Sequence, residues 1–78
     1  EAQLPELAEW ADQVNPYFRS FDAHYVARAH QLGLEVLAWT VDAEGDMHAV
    51  LDRGVDGVIT NRPDALRTVL RDRHSRAA

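Results

Sequence analysis

The stretch Gly33 to Pro63, GLEVLAWTVDAEGDMHAVLDRGVDGVITNRP, decides the fold. Glu35 to Val41 (EVLAWTV) is apolar and β-branched almost throughout. That suits a strand buried on both faces, as in a parallel sheet. From Asp42 to Asp52, Met47, Val50 and Leu51 recur at i, i+3 and i+4, which is a helical stripe. Gly54 then takes the position just past the helix, where glycine enters the left-handed region without strain. Val55 to Thr60 (VDGVIT) reads as a second short strand. Strand, helix, strand at this spacing predicts a parallel βαβ unit. Its two strand ends, Trp39 to Asp42 and Thr60 to Pro63, then lie on one side, where α/β folds carry their chemistry.

The same pattern extends outward in both directions. Leu4 to Trp10 reads as a short helix with Pro5 in its first turn and Leu4, Leu7 and Trp10 on one face. Ala11 to Asn15 reads as a short strand closed by Asn15-Pro16, a turn signal, although the helical pattern can also run on through it. Ser20 or Asp22 is placed to cap a helix bearing Ala23, Val26 and Ala29 on one side. Gly33 and Leu34 close that helix as a glycine followed by an apolar residue. Pro63 opens a last helix with Leu66, Val69 and Leu70 as its inward stripe, and residues 71–78 lose periodicity and are expected to fray. Strands are predicted near 11–15, 35–41 and 57–60, and helices over 22–33, 44–53 and 63–72. This alternation predicts an α/β domain with parallel strands and covering helices. The 78 residues are read as a single partial domain.

Two motifs carry a family resemblance. Gly-Leu-x-Val-x-x-Trp-Thr-Val (33–41) followed by Gly-Val-Asp-Gly-Val-Ile-Thr-x-x-Pro (54–63) resembles the carboxyl-terminal end of the glycerophosphodiester phosphodiesterases. The resemblance runs from about Ala11 to Leu70. It implies the last βα units of a TIM-like (β/α)8 barrel, about three of eight, since a whole barrel takes roughly 250 residues. It also implies a hydrolase that releases glycerol 3-phosphate and an alcohol, with Ca²⁺ or Mg²⁺ as cofactor. The family's catalytic His pair and metal-binding carboxylates belong to its early strands, so the chain alone is expected to be inactive and to bind no metal. Glu1 in place of an initiator Met fits a fragment or a processed chain.

The resemblance makes Trp39 a wall of the substrate site, with Thr40 and Asn61 beside it as substrate-binding residues. A buried core aromatic is the competing reading of Trp39. Strand alternation sets Leu37, Trp39 and Val41 on one face and Val36, Ala38 and Thr40 on the other, and both faces are apolar enough to be inward. Thr60 and Asn61 can equally serve as a cap before Pro63. Asn61 stands where the family more often has Asp, and Asp42 where it often has Asn. Asp42 reads as a helix cap, and Asp56, at the start of a strand, as a turn or salt-bridge residue.

Composition narrows the alternatives. The net charge of −5 argues against non-specific nucleic-acid binding. No run approaches the roughly 18 apolar residues of a membrane span. With no Cys there is no disulfide or thiolate site, and the compartment is left open. His24, His30, His48 and His74 include no i, i+4 metal-binding pair and read as surface or packing residues. The runner-up is a free-standing, non-enzymatic module that self-associates. In either case an open parallel sheet leaves strand edges and apolar surface, with Val36, Leu37, Trp39, Val58 and Ile59 in view, and a homo-oligomer through the strands is expected.

Overall fold

A computed structural model describes residues 4–77. Seven elements alternate along the chain: α1 (Leu4–Leu7), β1 (Gln13–Val14), α2 (Ala23–Gln31), β2 (Glu35–Ala38), α3 (Glu44–Asp52), β3 (Gly57–Val58) and α4 (Pro63–Ala77). The strands form one parallel sheet in the order β1-β2-β3. These are consecutive βα units, with the sheet order and direction predicted from the alternation.

The strands are shorter than the apolar runs. β2 spans only four residues, pairing with β1 at Glu35 and Val36 and with β3 at Leu37 and Ala38. Beyond Ala38 the chain stays extended with sparser bonds: Trp39 bridges to Tyr17, and the Val41 N–H donates to the Ile59 carbonyl at 3.0 Å. Asn15-Pro16 is not a turn. The Pro16 carbonyl accepts from the Trp39 N–H, so the chain stays beside β2 as far as Tyr17. α1 ends at Leu7, so Trp10 falls in the following turn and is exposed instead of joining Leu4.

Alternation along β2 is resolved by where the helices lie. Val36 and Ala38 are fully buried: Val36 packs with Val14, Val26, Ala29 and Leu34, and Ala38 with Met47, Val50, Ala65 and Val69. Leu37 and Trp39 point the other way, where Leu37 is half-buried and Trp39 is 42% exposed. Val36 is therefore part of the helix-side core and not of the uncovered surface expected for it. Val58 also packs into that core, whereas Ile59 is 41% exposed. In a (β/α)8 barrel the helices lie outside, so the Leu37–Trp39–Ile59 face is the one that would look inward.

α2 is capped as its sequence requires. Asp22 accepts from the Tyr25 N–H, and Gly33 (φ +80°) and Leu34 donate back to His30 and Ala29 in a Schellman ending. Because Gly33 has a positive φ, Gly33→Ala is expected to lower unfolding free energy by about 1 kcal/mol, with an unchanged denaturant slope.

α4 departs from its predicted stripe. Ala65 and Val69 are buried, Leu66 is half-buried, and Leu70 is 47% exposed. The inward line is 65, 69, 73 at i, i+4 spacing. Arg73 on that line donates to Asp52 (2.7 Å) and contacts His48 (3.1 Å), both on α3. That anchorage accompanies a helix that continues past 72 to Ala77, where loss of apolar periodicity suggested an end.

Candidate functional site

Three loops leave the carboxyl ends of the strands together. Tyr17 to Asp22 follows β1, Trp39 to Ala43 follows β2, and Ile59 to Arg62 follows β3. Trp39 is fixed rather than loose. Its indole N–H donates to the Asn15 carbonyl at 2.5 Å, and its ring lies 5.3 Å from that of Tyr17 at 56°. Tyr17 is also 42% exposed and meets Phe18 edge-on at 5.2 Å. Paired residues of a parallel ladder project to the same face, so Tyr17 and Trp39 form a two-ring aromatic edge there. Tyr17 is a neighbour of Trp39 that sequence reasoning missed. The signal was an aromatic two residues beyond the predicted strand 11–15, but Asn15-Pro16 suggested that the chain had already turned away.

Asp42 is not a helix cap. Ala43 occupies the N-cap position of α3, with no side-chain cap bond. Asp42 instead reaches across to the turn after β3. Its Oδ1 accepts from the Thr60 hydroxyl (3.0 Å) and the Asn61 backbone N–H (2.8 Å), and its Oδ2 accepts from the Asn61 side-chain amide (3.4 Å). The Thr60 hydroxyl in turn accepts from the Arg62 N–H at 2.9 Å. The Asn61 N–H leads in holding the Asp42 carboxyl below the usual carboxylate range against the opposing desolvation, and the Thr60 hydroxyl, the Asn61 amide and the Arg62 charge add to it. Asp42 and Asn61 are thus bonded to each other.

Of the three predicted site residues, Trp39 and Asn61 lie at the carboxyl ends of neighbouring strands, and Thr40, half-buried, follows Trp39 directly. A depression of about 400 Å³ beside the loop after β1 is lined by Arg19, Ser20, Phe21, Asp22 and Tyr25, with neither Trp39 nor Asn61 in its wall. Among the described residues no group of three or more His, Cys, Asp or Glu side chains is placed to hold a metal ion, so the donors here do not fit a divalent-metal centre. No helix among them is long and apolar enough to cross a membrane. Asp56 sits at the opposite, amino end of β3, where it bonds the Val36 N–H (2.7 Å) and His30 (2.8 Å).

The family model and the solved structures point the same way. The Glycerophosphoryl diester phosphodiesterase family matches over residues 2–65. The glycerophosphodiester phosphodiesterase of Bacillus subtilis (strain 168) is 36% identical over 69 residues, covering 88% of this chain and 24% of its own length. A crystal structure from Silicibacter pomeroyi DSS-3, assigned as a glycerophosphoryl diester phosphodiesterase, superimposes with a TM-score of 0.85 at 37% identity, over 91% of this chain and 25% of that one. A phosphodiesterase of Oleispira antarctica, solved in complex with the product sn-glycerol-3-phosphate, shares the fold with a TM-score of 0.80 at 21% identity, over 90% of this chain and 29% of that one. The chain spans about a quarter of the length of these relatives.

Proposed function

The chain belongs to the glycerophosphoryl diester phosphodiesterase family, and from that premise we propose that it forms the carboxyl-terminal quarter of a (β/α)8-barrel enzyme hydrolysing glycerophosphodiesters. Water adds at phosphorus, the bond to the alcohol oxygen breaks, and glycerol 3-phosphate and an alcohol leave. A divalent metal, Ca²⁺ or Mg²⁺, would stabilise the phosphoryl charge there, held by residues outside this chain. What this chain contributes is a wall of the substrate site. Trp39 presents its ring beside the glycerol backbone, Thr40 follows it, and Asn61 offers a polar side chain from the next strand.

The observation that carries this reading is the placement of Trp39. It is held by the Asn15 carbonyl at the carboxyl end of β2, on the face opposite the helices, and it remains 42% exposed. A core aromatic would be covered by the chain's own helices. The test is turnover by the whole barrel that carries these residues. EDTA-sensitive release of glycerol 3-phosphate is expected from the barrel and none from residues 1–78 alone. Trp39→Ala is expected to lower kcat/KM about tenfold while leaving the circular dichroism spectrum unchanged. An active 78-residue chain, or a Trp39→Ala barrel with full activity, would overturn the reading.

The isolated chain is also proposed to self-associate through the open face. Trp39, Ile59 and Tyr17 stay exposed there, and β1 and β3 each leave an unpaired edge. Light scattering that finds a monomer at high concentration would refute this.

A further inference from the structure

The substrate wall accounts for Trp39, Thr40 and Asn61 but leaves Asp42 without a role. Its carboxylate is the hub of the site's polar bonds. It gathers the Thr60 hydroxyl, the Asn61 backbone N–H and the Asn61 side-chain amide, while Thr60 also takes the Arg62 N–H. Four consecutive features of the β3–α4 turn are thereby tied to the end of the neighbouring strand. The tie crosses from β2 to β3, so it fixes the turn relative to Trp39, which lies three residues before Asp42.

Bond polarity makes this tie directional. An ionised carboxylate only accepts hydrogen bonds, and an asparagine amide carries donors on nitrogen alone. The Asn61 Nδ2 must therefore face Asp42, which turns Oδ1 away from it. The Thr60 hydroxyl is used twice, as donor to Asp42 and as acceptor from Arg62, so it has little left to offer a ligand. The acceptor that the network orients outward is Asn61 Oδ1.

We propose that Asp42 is the positioning residue of the substrate site: it orients the Asn61 amide so that Oδ1 accepts a hydrogen bond from a hydroxyl of the glycerol moiety. This rests on the reading of Asn61 as a substrate-binding residue and adds both the ligand group it meets and the side chain that aims it. Asp42 touches no reacting atom and acts only through Asn61 and the turn.

The same polarity supplies the test. In Asp42→Asn, a second amide faces Asn61 and the orientation of Oδ1 is no longer enforced. In the exchange Asp42→Asn with Asn61→Asp, an amide at 42 donates to a carboxylate at 61, whose second oxygen still faces outward as an acceptor. In Asn61→Asp alone, two carboxylates confront each other. Steady-state kinetics on the whole barrel with a glycerophosphodiester, and calorimetric binding of glycerol 3-phosphate, read the consequence. Asp42→Asn is expected to raise KM about tenfold with kcat within about twofold of the parent. The exchange is expected to bring KM back to within about threefold, and Asn61→Asp alone to raise it at least as far as Asp42→Asn. An Asp42→Asn barrel with a lowered melting temperature but unchanged KM and product affinity would make Asp42 a brace of the fold and overturn the proposal. An exchange variant as weak as the single variants would do the same. A parent barrel that neither turns over the diester nor binds glycerol 3-phosphate would instead sink the substrate-site reading, and this proposal with it.

Discussion

Met47→Ala is expected to destabilise the folded state by about 2–4 kcal/mol. Met47 is fully buried on α3 among Phe18, Ala38, Val41, Val50, Ala65 and Val69. Those residues come from the loop after β1, the strand β2 and its extension, α3 and α4, so one side chain links most of the elements that carry the site. Truncation removes three heavy atoms from a region with no slack, and the cavity cannot close without moving β2 or α4. A 78-residue domain holds only about 4–12 kcal/mol in total. The loss is therefore a large share, and the denaturant midpoint is expected to fall by more than about 1 M at unchanged slope. Leu70→Ala is the matched control. Leu70 is 47% exposed, and its truncation is expected to stay within about 0.5 kcal/mol. Equal effects at the two positions would mean that α4 packs on the 66/69/70 stripe after all.

That control marks where the sequence was legible and where it was not. Element type and order followed from period alone, because the apolar positions of α2 and α3 fall at helical spacing and β2 lies in a short, mostly apolar run without it. The caps were equally local: Asp22, Gly33, Gly54 and Pro63 each act within a few residues of themselves. What periodicity could not give was orientation. In Glu35 to Val41 both faces are apolar, so nothing local ranks Val36 and Ala38 against Leu37 and Trp39. The helices decide it by covering the first pair. On α4 the stripe shifted because Ala65 is small enough to let the helix approach and Arg73 finds partners on α3, a contact 21 residues away in sequence. The site shows the same divide. Trp39 and Asn61 were candidates because their motifs sit on strand ends. The bond between Asp42 and Thr60 spans 18 residues and has no local signature. Read locally, an Asp before a helix is a cap.

Asp56→Ala is expected to cost about 1–3 kcal/mol at neutral pH, and the charge-dependent part of that cost is expected to vanish in acid. The Asp56 N–H donates to the Val36 carbonyl while the Asp56 carboxylate accepts from the Val36 N–H, so backbone and side chain together close the start of the β2–β3 ladder. His30 on α2 bonds the same carboxylate oxygen, which brings the helix into that junction. Removing the side chain leaves the part-buried Val36 N–H without its acceptor, and this unmade bond is the larger loss. The exposed His30 contact adds little. The Val36 N–H first, and His30 after it, hold the Asp56 carboxyl below its ordinary range against the opposing desolvation. A carboxyl whose folded pKa is depressed stabilises the fold above its unfolded value, about 3.9, and that contribution is lost as pH falls through the folded value. Asp56→Asn separates charge from shape, since its amide oxygen can still accept from Val36. The gap in unfolding free energy between parent and Asp56→Asn should be open at pH 7 and close as pH falls below about 4. A gap independent of pH down to 2 would show that the carboxylate charge contributes nothing to this junction. Kinetics separate this end of the sheet from the other. Asp56 lies at the amino ends of the strands, the stability side of a barrel, so the folded Asp56→Asn barrel should keep the parent's KM. Asp42, at the carboxyl ends, should show the reverse: a raised KM with little change in folding.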